Sequence, residues 1–325
     1  MNRFKNKIFN QKDRILVTGG SGFIGVNLIS YILKHTNNSV LNIDKLTYAS
    51  NKNFLTRKNS NYSFEKIDLC NFKKINDAIF KFKPHKIIHL AAESHVDRSI
   101  EKRDDFIKSN YFGTFSLLEA SLSYWKQIDD DLKKSFVLLN ASTDEVYGDA
   151  SNLKKSISEN SSFKPSSPYS ASKVGGESLV YSYYKTFGLP VVITRSSNNF
   201  GPFQNKEKFI PSIIFSILKN KKIKIYGDGK QIRDWIYVDD NIEGILTVAF
   251  CGKLGEAYNL GGNNLLKNIE IVEKISNYIK LKTFKVDRKK FNFLKLINNV
   301  PDRLGHDKKY SIDSSKIANQ LNWKA

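Results

Sequence analysis

A doubly wound parallel α/β sheet, buried on both faces, is the architecture this 325-residue sequence predicts. Three observations carry it: strand-length runs rich in Val, Ile and Leu, amphipathic helix-length segments between them, and a glycine-rich turn joining the first run to the first helix. The first strand is RILVTGG (Arg14–Gly20), and the helix after it, FIGVNLISYILK (Phe23–Lys34), repeats apolar residues three and four apart. The second strand, SVLNIDK (Ser39–Lys45), ends on an acid, and the third is YSFEKID (Tyr62–Asp68). A strongly amphipathic helix, FKKINDAIFKF (Phe72–Phe82), leads to the fourth, KIIHLAA (Lys86–Ala92). SFVLLNAST (Ser135–Thr143) and VVITRSS (Val191–Ser197) complete the set. Beyond about Phe200 the alternation fails and Gly, Pro and Asn increase, as in NNFGPFQNKEKFIP and YGDGKQIRD, which predicts a smaller, loop-rich lobe on the strand ends. The expected division is a dinucleotide-binding domain over 13–199, to which the chain returns around 235–250, and a substrate lobe drawn mainly from 200–325.

Composition narrows the function classes. The formal net charge of +20 raises nucleic acid as a partner, but the lysines are spread from end to end and form no arm or stripe. The reading is therefore no nucleic acid and no membrane partner, with a positive field suited to an anionic small substrate. The basic first dozen residues lack the apolar stretch of a secretory leader and read as a loose lead-in. Cys70 and Cys251 form no CxxC pair, so neither a disulfide framework nor a metal cage is expected. Together these predict a reduced, cytoplasmic protein.

The glycines Gly19, Gly22 and Gly25 sit where the first strand turns into the first helix, whose N-terminal N–H groups suit a pyrophosphate. Asp44 follows nineteen residues after Gly25 at the end of the second strand. An acid there accepts the hydroxyls of an adenosine ribose and repels a 2′-phosphate, so the predicted cofactor of this Rossmann-type domain is NAD. The spacing is GxxGxxG, which points away from most two-domain dehydrogenases.

Two further constellations carry chemistry. In SPYSASKVGGE, Tyr169 and Lys173 lie four residues apart, on one face of a helix. A neighbouring ammonium and an oxidised nicotinamide favour the phenolate, which makes Tyr169 a general base for an alcohol being oxidised. At the end of the fifth strand, Thr143, Asp144 and Glu145 follow one another. Two adjacent carboxylates beside a core must be solvated, paired or neutral, so they demand an explanation.

The motifs TGGSGFIG, DKLTYAS, HLAAESHVDRS, STDEVYG, YSASK, RSSNNFGP, GDGKQIRDWIYVDD, YNLGG and PDRLGHD run in order from Thr18 to Asp307. In this collinear set the chain resembles the extended short-chain dehydrogenase/reductases and, within them, is similar to the dTDP-glucose 4,6-dehydratases. The resemblance implies a homodimeric lyase that oxidises C4 of the glucose of dTDP-glucose, removes water across C5 and C6, and returns the hydride to C6. It implies that Tyr169 deprotonates the 4-hydroxyl, Thr143 hydrogen-bonds the 4-oxygen, and Lys173 holds the nicotinamide ribose. Glu145 takes the C5 proton and a neutral Asp144 protonates the departing 6-hydroxyl, two protonation states that environment must push apart. The alternatives are a UDP-glucose 4,6-dehydratase, or a related epimerase or decarboxylase. The 4-epimerases lack the acid pair, and the decarboxylases typically carry Ser where Asp144 stands. A silent binding protein of the same fold would be expected to lack Tyr169, Lys173 or an acid.

The same resemblance implies NAD contacts from Phe23 and Ile24 on the first helix and from Asp44, Lys45, Leu46 and Thr47 after the second strand. Asp68 and Leu69 follow the third strand, Ala91 and Ala92 the fourth, and Ser109 and Asn199 complete that set. For the sugar nucleotide it implies Ser94, Asn198, Lys208, Phe209 and Tyr226, together with Arg233, Asn268, Arg303 and His306, the cations suiting a diphosphate. Lys224 stands where the family usually has proline beside the base pocket, and Leu304 replaces the proline of DRPGHD.

Overall fold

The computed structural model describes residues 12–52, 59–282 and 292–325; the N-terminal lead-in lies outside them. Seven parallel strands form the main sheet: β1 (Arg14–Thr18), β2 (Ser39–Asp44), β3 (Tyr62–Lys66), β4 (Lys86–His89), β5 (Val137–Thr143), β6 (Val191–Ser196) and β10 (Ala257–Leu260). Their order is β10-β6-β5-β4-β1-β2-β3. The chain reverses direction of winding between β1 and β4, so a crevice opens beyond their C-terminal ends, where open α/β sheets bind ligands.

Strand residues alternate between two cores. Ile15 and Val17 face a core completed by α1 (Phe23–His35) and α6 (Val238–Cys251). Leu16 faces the other, built with α2 (Phe72–Phe82), α3 (Gly113–Gln127) and α4 (Pro168–Phe187). This two-sided burial is why these strands read as continuous apolar runs. Helix boundaries follow their caps. Asn71 accepts from the Lys74 N–H at the start of α2 (3.2 Å), and Ser167 and Ser170 form a reciprocal capping box at α4, with Pro168 in the first turn.

α6 and β10 lie with the main sheet. The terminal helix α8 (Ser315–Leu321) and Trp323 also belong to the α1 side, with Ile317 and Trp323 in that core. The smaller lobe contributes α5 (Phe209–Leu218), α7 (Asn268–Lys282), a two-stranded sheet of β8 (Ile223–Tyr226) and β12 (Ile297–Val300), and a three-stranded sheet in the order β11-β9-β7. In the latter, β7 is Asn198–Phe200, β9 Ile232–Tyr237 and β11 Leu265–Lys267. Its own core gathers Ile213, Ile217, Ile225, Trp235 and Val272. Lys224 sits in a regular parallel ladder opposite Asn298, so the absent proline leaves an ordinary strand here. No helix among the described residues is long and apolar enough to cross a membrane.

Candidate active site

Two adjoining pockets lie over the crevice. The first is walled by Gly19, Gly22 and Gly25, then Asp44, Lys45 and Thr47, and beyond them Asp68, Leu69, Ala91, Ala92 and Ser109. Phe23, Ile24, Tyr169 and Lys173 complete it. Gly19 adopts φ +70°, and a Cβ there would stand 2.6 Å from the Ala91 backbone. Gly25 brings α1 against the Gly19 carbonyl, where a Cβ would stand at 2.4 Å. No side chain caps α1 at Gly22 and no acid occupies its first turn, which leaves the helix N-terminus open to an anion. Asp44 is fixed by N–H donation from Ser21 (3.0 Å) and Leu46 (2.7 Å) and by the Ser50 hydroxyl (3.3 Å). Leu46 acts through that backbone bond and does not line the pocket. These features fit a dinucleotide with a free ribose diol.

The second pocket meets the first at Ser94, Gln204 and Lys208. It is lined by Glu145, Asn198, Phe209, Tyr226 and Arg233, and by Asn268, Arg303 and His306. Asn199, expected at the cofactor, lines this pocket instead; its Nδ2 donates to the Ser197 carbonyl (2.9 Å). Lys208 donates to the Ser94 carbonyl (2.7 Å). His306 Nδ1 lies 2.6 Å from Asp302 Oδ1, and its ring packs edge-on against Tyr226 at 6.1 Å. Arg303 Nε stands 2.6 Å from Asp97 Oδ1 without directing its N–H at that oxygen, and Tyr226 donates to Asp97 Oδ2 (3.0 Å).

Between the pockets, β5 ends at Thr143 and a single tight turn, Asp144–Tyr147, follows. Gly148 closes that turn at φ +74°, with the Lys164 carbonyl 2.1 Å from where a Cβ would be. Thr143 Oγ1 donates to Asp144 Oδ1 (3.3 Å) and accepts the Glu145 N–H (3.3 Å). Asp144 is 3% exposed, its Oδ2 lacks a partner, and burial with Glu145 and Asp234 nearby pushes its carboxyl well above the usual range. Burial also raises Glu145; Arg233 opposes the shift of both acids, and at Glu145 Lys208 and Arg303 add to that opposition. The two neighbours thus sit in different electrostatic surroundings.

Tyr169 and Lys173 face the first pocket from α4. The expected lowering of the phenol does not appear among the protein's own groups. Burial and the carboxylates Glu145 and Asp144 push Tyr169 upward, and Thr143, hydrogen-bonded to it, only partly offsets them. Lys173 spends a hydrogen bond on the Ala141 carbonyl (2.7 Å), and burial brings its ammonium down to about 8. The protein groups that act on Tyr169 thus favour, on balance, its neutral form.

Residues the sequence reasoning did not single out include Gln204, which walls both pockets, and His95, Trp235 and Tyr310 in the second. His95 and Trp235 fall inside quoted motifs; Gln204 and Tyr310 carry no local pattern.

A glycine-turn dinucleotide cleft opening onto a cation-lined pocket, with Tyr, Lys and two acids at the junction, defines a nucleotide-sugar enzyme of the extended short-chain dehydrogenase/reductase class. A family model described as GDP-mannose 4,6 dehydratase matches residues 16–325. The chain is 47% identical to the dTDP-glucose 4,6-dehydratase of Haemophilus influenzae over 312 residues, 95% of this chain and 92% of the relative. DesIV, a dTDP-glucose 4,6-dehydratase from Streptomyces venezuelae solved with NAD and TYD bound, superposes with a TM-score of 0.85 at 34% identity, covering 96% and 91% of the two chains. The enzyme of that name from Bacillus anthracis, solved in complex with NAD, gives a TM-score of 0.83 at 37% identity over the same shares. The chain belongs to the dTDP-glucose 4,6-dehydratase family and is an NAD-dependent hydro-lyase.

Proposed function

We propose that the protein converts dTDP-glucose to dTDP-4-keto-6-deoxyglucose, with the first pocket holding NAD and the second the sugar nucleotide. NAD, when bound, supplies the oxidised nicotinamide that accepts the C4 hydride and later gives it back at C6. Asp44 takes the adenosine ribose diol and the N-terminus of α1 the pyrophosphate, while Lys208, Arg233 and Arg303 take the substrate diphosphate. Tyr169 removes the proton of the 4-hydroxyl and Thr143 steadies the oxygen. Glu145, kept closer to its ionised form by three cations, abstracts the proton at C5. Asp144, kept neutral, protonates the 6-hydroxyl as it leaves as water, and C5 is then reprotonated.

What carries this reading is the adjacent acid pair in unlike surroundings, which a 4-epimerase or decarboxylase of the class has no use for. Mass analysis of the product formed from dTDP-glucose, and in parallel from UDP-glucose, tests it. Loss of one water from the sugar is expected with both and faster with dTDP; an isomer of unchanged mass, or no loss of water from either substrate, refutes it. UDP lacks the thymine methyl and adds a ribose 2′-hydroxyl; the methyl alone should give a preference in kcat/KM of roughly 10- to 200-fold.

We further propose a cytoplasmic homodimer. Phe115 of α3, with Tyr181 and Phe187 of α4, exposes aromatic surface on two adjacent helices, the kind of face that a second copy covers.

A further inference from the structure

We infer that residues 202–208 form a strap fastened across the dinucleotide cleft, and that Arg98 and Glu207, by fastening its outer end, set how long NAD stays bound. The inference rests on the assignment of the first pocket to NAD. Gln204, Asn205 and Lys208 wall that cleft opposite Gly22 and Asp44. The strap is tied to both banks. On one, Asn27 Nδ2 of α1 donates to the Pro202 carbonyl (2.9 Å), and Asn51 Nδ2 donates to the Phe203 carbonyl (3.3 Å). On the other, Lys208 reaches the Ser94 carbonyl, and Arg98 Nη2 donates to both oxygens of Glu207 (3.0 and 3.2 Å).

Arg98 does more than hold the strap. Its guanidinium lies 3.8 Å from the ring centroid of Tyr48, on the loop after β2 that also carries Asn51. Lys45 on the same loop pairs with Glu93 at 3.5 Å. The loop, the helix Val96–Glu101 and the strap therefore close a ring around the cleft. Phe203 holds φ +67°, a conformation a bulky residue adopts only when its surroundings impose it. The proposed reaction regenerates the oxidised cofactor within each turnover, so a closed ring costs the enzyme nothing in rate. A pair this exposed, with both side chains about a third accessible, can be changed without unsettling the core.

The test is release of NAD itself. The purified protein is loaded with radiolabelled NAD, chased with an excess of unlabelled NAD, and the loss of bound label is timed for the wild type, Arg98→Ala, Glu207→Gln and the double variant. Each single variant should release label roughly two- to fivefold faster, and the double no faster than Arg98→Ala, because both changes undo one fastening. Unchanged rates in the single variants, or effects that multiply in the double, overturn the strap. A wild type that releases no NAD on denaturation and takes up no label overturns the NAD assignment, and the strap with it.

Discussion

Asp144→Asn separates the role of a neutral acid from that of a charge. The carboxyl is 3% exposed, touches Thr143 Oγ1 at 3.3 Å, and is pushed well upward by burial and by Glu145 and Asp234, which favours its protonated form. Asparagine has nearly the same shape and charge, but it cannot release a proton to a leaving hydroxyl. Removing one such acid should cost 10²- to 10⁴-fold in kcat, or about 3 to 5 kcal/mol of barrier. The loss should fall on elimination: with dTDP-glucose, single-turnover absorbance should show reduced cofactor accumulating, which in the wild type is consumed as it forms. Stability gives an independent reading. The folded value of Asp144 lies above its unfolded value, so its contribution is intact below about pH 4 and is lost as pH rises through the folded value. Asparagine has no such loss, so the variant should melt no lower than the wild type at pH 7. Wild-type turnover, or a variant destabilised at pH 7 but not at pH 4, refutes the neutral-acid argument.

Glu145→Gln should lower turnover by a similar 10²- to 10⁴-fold while abolishing exchange of the C5 proton with deuterated solvent; persistence of that exchange removes Glu145 from the step. With substrate deuterated at C4, the label should appear at C6 of the same sugar, and label lost to water would contradict an internal hydride return. Lys173, brought down to about 8 by burial, binds fewer protons folded than unfolded between pH 8 and about 10.5, so it adds stability as pH rises through that window. In Lys173→Met this rise, up to roughly 3 kcal/mol, should vanish from thermal melts, and an unchanged slope would show the shift to be absent. Glu177→Gln should destabilise by roughly 3 to 5 kcal/mol in urea unfolding, because Glu177 ion-pairs with the buried guanidinium of Arg195. A loss below about 1 kcal/mol would mean that Arg195 is satisfied by Tyr147 and the Glu159 carbonyl alone.

Six of the seven main-sheet strands could be read from the sequence because burial on both faces writes a continuous apolar run. β10 could not: Ala257–Leu260 offers four residues, one of them Asn259, whose side chain donates to the Ile157 and Asp313 carbonyls and accepts from Tyr147. A strand whose polar residue is satisfied by distant loops leaves no periodic signal. The acid pair stood out because charge beside a core has few explanations. The upward shift of Tyr169 was not, since it depends on burial and on carboxylates from the turn after β5. Asn199 shows the limit of transferring a contact by motif: the position matched, but the residue lines the second pocket and not the first.

The edge strand β10 also bears on how this chain can be divided. It is parallel to β6 and arrives after the smaller lobe has begun, while α6 lays Ile242, Ile245, Leu246 and Val248 on the sheet, all fully buried. A fragment ending near Phe200 would keep the glycine turn and every proposed catalytic residue. It would nevertheless present β6 as a bare, apolar sheet edge above an uncovered core, the surface on which chains stack into aggregates. The main sheet with its two cores is thus a spatial unit without being a segment, and its synthesis is unfinished until the ribosome has passed Trp323.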